Sequence, residues 1–137
     1  MTYKYSICYP DKENIEYPTK LLGKEEVLDM AQNYPWIEQL KLSDSLTTKI
    51  YYSPSIDFTH IKDEHSFCLT AGMNKDRLEF SIWYNRPVKT KPLFGLLGEK
   101  IKLRVVDKWS FDKQTALKHL ETFLNQDYKR IERIMTE

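Results

Sequence analysis

Residues 55–84 read SIDFTHIKDEHSFCLTAGMNKDRLEFSIWY, and this stretch decides the fold. Three β-rich runs, Ser55–Ile61, Ser66–Ala71 and Arg77–Tyr84, are separated by turn chemistry at Asp63-Glu64 and at Asn74-Lys75-Asp76. Alternate residues of a strand share a face, so Ile56, Phe58 and His60 form one row and Leu78, Phe80, Ile82 and Tyr84 another. Connections this short join antiparallel neighbours, which predicts a meander.

Upstream, Thr48–Tyr52 reads as a further strand. Trp36, Ile37, Leu40 and Leu42 fit either a helical turn or a strand. Gly23-Lys24-Glu25-Glu26 opens a helix with Val27, Leu28, Met30 and Ala31 as its apolar stripe, ended at Tyr34 because the residue before a proline leaves the helical region. Residues 10–22 read as a loop. Before them, Tyr3, Tyr5, Ile7 and Tyr9 alternate with polar residues as a half-buried first strand.

Downstream, Pro87–Gly98 reads as a Pro/Gly-rich connection, and Ile101, Leu103 and Val105 alternate with Lys100, Lys102 and Arg104 as another strand. Ser110 is the expected N-cap of a terminal helix whose stripe includes Leu117, Leu120, Phe123, Leu124 and Ile131, with a break expected at Asn125-Gln126-Asp127. The expected fold is one α+β domain over residues 1–137. It has an antiparallel sheet of about five to six strands, an N-terminal helix, and a C-terminal helix or helix pair packed on one face.

A chain of 137 residues with 41% hydrophobic and 30% charged residues has enough apolar surface for its own core and enough charge to stay solvated. Its longest run without Asp, Glu, Lys or Arg, His65–Asn74, is too short for a bilayer, and no leader pattern opens the chain, so the expected location is cytoplasmic. Cys8 and Cys68 lie in apolar contexts and read as two free thiols. Abundant lysine, asparagine, isoleucine and tyrosine suggest an AT-rich bacterial genome.

Asp57, His60, Asp63, Glu64 and His65 bring together the donor types of a metal or acid/base site. A two-residue loop at Asp63-Glu64 would set Lys62 opposite His65 and His60 opposite Phe67, so the imidazoles would not converge. Asp57 and His60 would also point to opposite faces. Cys68 between Phe67 and Leu69 reads as packed rather than activated, and Leu93–Gly98 lacks the Lys-Ser ending of a phosphate loop. No catalytic residue, metal ligand or cofactor is therefore assigned.

Charge is uneven along the chain. Residues 86–108 hold seven basic side chains against Glu99 and Asp107, whereas residues 24–44 are mainly acidic, with Glu25, Glu26, Asp29, Glu38 and Asp44. Overall the formal net charge is +1, which argues against a nucleic-acid-coating protein. One-signed surfaces steer partners and exposed aromatics anchor them, so the expected partner-binding set is Trp83, Tyr84, Arg86, Lys89, Lys91, Lys100, Lys102 and Arg104. The function this suggests is a small intracellular protein-binding domain, such as a bacterial immunity or inhibitor protein that neutralises a toxin or effector by binding it, with no membrane involved. The alternatives are a hydrolase centred on Asp57, His60 and His65, or a nucleic-acid module using residues 86–108. The oligomeric state stays open.

Overall fold

A computed structural model of the chain describes the backbone of residues 2–90 and 100–136, and the side chains of residues 2–86 and 108–136. It is an α+β fold with a five-stranded antiparallel sheet and four helices. The strands are β1 (Tyr3–Cys8), β2 (Ser55–His60), β3 (Ser66–Asn74), β4 (Arg77–Thr90) and β5 (Lys100–Phe111). The helices are α1 (Lys24–Asn33), α2 (Trp36–Ser45), α3 (Lys113–Leu124) and α4 (Tyr128–Thr136). Strand order in the sheet is the order in the chain, β1-β2-β3-β4-β5.

The first strand and the helix opening at Lys24 form as β1 and α1, so the helix expected near the N-terminus is the second element of the chain, after β1. Several other elements differ from expectation. Residues 36–42, ambiguous in the sequence, lie in α2, which runs on to Ser45. Thr48–Tyr52 is no strand, since its recorded backbone tie is Tyr51 N donating to the Pro10 carbonyl at 2.9 Å. The connection expected to start at Pro87 starts later, because β4 runs on to Thr90. A proline is tolerated there because β3 stops pairing at Ser66↔Asn85, so no strand on that side waits for its missing N–H. Asp112, not Ser110, caps α3, its carboxylate accepting from Thr115 N at 2.7 Å. The terminal helix breaks where expected, with Gln126 at φ 59 between α3 and α4.

The register explains the core. Ile7, Ile56, Leu69 and Ile82 stand in one cross-strand row, and Tyr5, Phe58, Phe67 and Tyr84 in the next. Ile56, Phe58, Phe67, Ile82 and Tyr84 are fully buried, each worth roughly 1.5–3 kcal/mol of removed apolar surface. Helical side chains meet this face: the Trp36 ring lies edge-on to Phe80 at 5.1 Å, and Phe123 packs on Phe67 at 5.3 Å. Within α3, Ala116, Leu120, Phe123 and Leu124 are buried, the i, i+4, i+7, i+8 spacing of one helix face.

The other sheet face carries a different row, Ser6–Asp57–Cys68–Trp83–Asp107. Cys8 on β1 and Cys68 on β3 both remain free thiols. With β2 between them, their strands lie about 10 Å apart, beyond the reach of a disulfide.

Candidate partner-binding surface

The expected binding residues divide sharply. Along β4 the alternation that buries Phe80 and Ile82, and partly buries Leu78, also buries Tyr84, so Tyr84 is no surface anchor. Its hydroxyl lies 2.6 Å from His65 Nδ1, and burial pushes its pKa up. Trp83, one residue earlier, turns to the opposite face, where it is half-buried and donates to Ser81 Oγ at 3.1 Å. Arg86 is half-buried and forms an ion pair of 2.6 Å with Glu132 of α4.

The remaining basic residues are placed by strand register. Five β4–β5 pairs, Arg86↔Arg104, Pro87↔Leu103, Val88↔Lys102, Lys89↔Ile101 and Thr90↔Lys100, lie beyond the last β3–β4 pair. This stretch is a two-stranded ribbon running past the sheet. The pairs Arg86↔Arg104, Val88↔Lys102 and Thr90↔Lys100 share one face, and Pro87↔Leu103 and Lys89↔Ile101 share the other. Lys91 lies outside the described residues.

Arg86 opposite Arg104 is a like-charge cross-strand pair, which opposes pairing unless an anion stands nearby. Glu132 supplies one anion to Arg86. None of the ten residues in these five pairs is acidic, so the ribbon has no negative charge of its own to balance Lys89, Lys100, Lys102 and Arg104.

One aromatic was missed in the sequence. Between Ile82↔Lys108 and Phe80↔Phe111 the register slips, so Ser81 faces both Trp109 and Ser110. Ser110 takes φ 75, the left-handed conformation of a bulge residue, and Trp109 is left 57% exposed. A bulge re-aims side chains, and this one turns a large apolar ring outward at the end of β5.

The histidine hairpin also differs from expectation. His60 N donates to the His65 carbonyl at 2.9 Å and Glu64 N to the His60 carbonyl at 3.0 Å, so the loop is residues 61–64 and the two histidines stand opposite each other. Glu64 takes φ 63, which lets the longer loop close. The imidazoles do converge, but each is occupied internally. His60 Nδ1 is 3.2 Å from Asp63 Oδ1, and its Nε2 is 3.1 Å from the Gln126 amide. His65 stacks on Tyr128 at 3.9 Å, and Tyr128 donates to Asp63 Oδ2 at 2.6 Å. Desolvation lowers the His65 pKa, opposed by Asp63 and Glu132 nearby. The cluster ties the β2–β3 hairpin to the start of α4.

Asp57 takes no part in that cluster. It stands on the opposite face, accepts from the Thr59 hydroxyl at 3.1 Å, and has its pKa pushed by burial up to about 6. Among the described residues no group of three or more His, Cys, Asp or Glu side chains is placed to hold a metal ion, and no helix is long and apolar enough to cross a membrane. No family model matches the chain, and no curated protein or solved structure matches it either.

Proposed function

We propose that this chain is a protein-binding domain that grips an acidic surface of its partner with the β4–β5 ribbon and uses Trp109 as the apolar anchor. The observation that carries the reading is the ribbon itself: five strand pairs beyond the reach of β3, with five basic positions and no acidic one. Electrostatic steering needs such a one-signed surface, and affinity needs a few desolvated aromatic side chains. Trp109 replaces Tyr84 in that second role. By strand alternation Trp83 shares the face of Ile101, Leu103 and Val105, opposite the row of Lys100, Lys102 and Arg104, so the partner wraps the ribbon to reach both the basic row and Trp109. Inhibition of a toxin or effector fits this geometry, because a basic ribbon can cover an acidic site on another protein.

The test is binding by the triple variant Lys100→Glu/Lys102→Glu/Arg104→Glu. The native partner should be lost, chiefly through a slower association rate that, unlike the parent's, does not fall as salt rises. Unchanged association would refute the ribbon as the interface. Retention of nucleic acid in place of protein would favour the nucleic-acid module, since β-ribbons also enter DNA grooves.

A further inference from the structure

We infer that the outer edge of β5 accepts an extended segment of the partner as a sixth strand, and that this segment alternates acidic with apolar residues. The inference rests on the binding role proposed for the ribbon and names the chemistry of its partner. β5 is the last strand of the sheet, and among the described residues the strand pairing with it is β4. The register with β4 is unbroken from Thr90↔Lys100 to Ile82↔Lys108, so the opposite edge runs straight over the same nine residues, 100–108. Alternate peptide groups of an antiparallel edge strand point their N–H and C=O away from the neighbour, ready for another chain.

The sequence along that edge selects its occupant. Lys100, Lys102 and Arg104 take one face of β5, and Ile101, Leu103 and Val105 the other. An added strand is favoured when it sets Asp or Glu beside the basic row and an apolar residue beside the other. A second copy of this chain does the opposite. Two-fold pairing of β5 with itself about Lys102 sets Lys100 opposite Arg104, and pairing about Arg104 sets Lys100 opposite Lys108. Like charges across the join disfavour the homodimer and leave the edge to an acidic strand. Lysines on an edge also serve simply to prevent aggregation. An outward-turned Trp109 at the bulge that ends the straight edge does not serve that purpose, and it fits the end of a docking strip.

The probe is a short labelled peptide alternating Glu and Val, titrated against the full chain. Beside it run a scrambled peptide of the same composition and one N-methylated at alternate residues. The alternating peptide should bind, and N-methylation should weaken it at least about tenfold because it removes the backbone donors facing the edge. In the variant Lys102→Glu/Arg104→Glu the preference should switch to a peptide alternating Lys and Val. Equal binding of all three acidic peptides would overturn the added strand and leave the ribbon as a purely electrostatic surface. No peptide binding by a protein that still captures its native partner through the ribbon would also overturn it. A protein that ignores the peptides and retains a DNA oligonucleotide would overturn both this inference and the protein-binding reading.

Discussion

Leu120 is fully buried at the centre of the α3 stripe, so Leu120→Ala removes a large side chain from a packed site. Urea melts should show a loss of about 2–5 kcal/mol. Asp57 behaves in the opposite sense. Its folded-state pKa, about 6, lies above the ordinary 3.8, so the folded chain holds the proton more tightly than the unfolded one. Stability from this group is therefore present at acid pH and lost as pH rises through that window. Asp57→Asn should stabilise the protein at neutral pH and flatten its pH dependence between 3.8 and about 6, as read from melts across that range. A variant more sensitive to pH than the parent would contradict the assigned cause. At this scale the sequence was readable wherever alternation applied: the rule that set Leu78, Phe80, Ile82 and Tyr84 on one face also excludes Tyr84 from the surface. Trp109 was not readable, because its exposure depends on a register slip and the positive φ of Ser110.

Between elements, the β2–β3 hairpin is fastened to α4 by Tyr128, which donates to Asp63 and stacks on His65. Tyr128→Phe keeps the ring and removes the donor to a carboxylate, so it should cost about 1–3 kcal/mol. Amide exchange should show the protection loss concentrated in the hairpin and α4, whereas uniform loss would contradict a local fastening. The meander, α1 and the break between α3 and α4 were legible because their signals are local: period-2 rows, the proline after Tyr34, and the polar Asn125-Gln126-Asp127. Three features depended on tertiary context. Thr48–Tyr52 has strand-forming residues but no strand beside it, β4 continues through Pro87 because β3 has already stopped pairing there, and the hairpin gained two loop residues by placing Glu64 at positive φ.

For the whole molecule, a formal net charge of +1 conceals a basic ribbon and acidic segments elsewhere. That distribution reverses the meaning of composition, since near-neutrality argued against nucleic acid yet says nothing of a local patch. The basic cluster of residues 86–108 was legible in the sequence, but its geometry was not, because a connection had been expected where β4 and β5 pair. Trp109→Ala should leave stability within about 0.5 kcal/mol, as expected for an exposed side chain, while weakening partner binding about tenfold or more. A large stability loss with unchanged binding would make Trp109 a packing residue instead.

The most direct measurement is the association of the native partner with the parent chain and with Lys100→Glu/Lys102→Glu/Arg104→Glu, followed over a series of salt concentrations. The parent should bind one protein with an association rate that falls as salt rises, and the variant should bind at least about tenfold more slowly with little salt dependence. Equal rates for the two proteins at every salt concentration would place the interface elsewhere and contradict the ribbon as the binding surface.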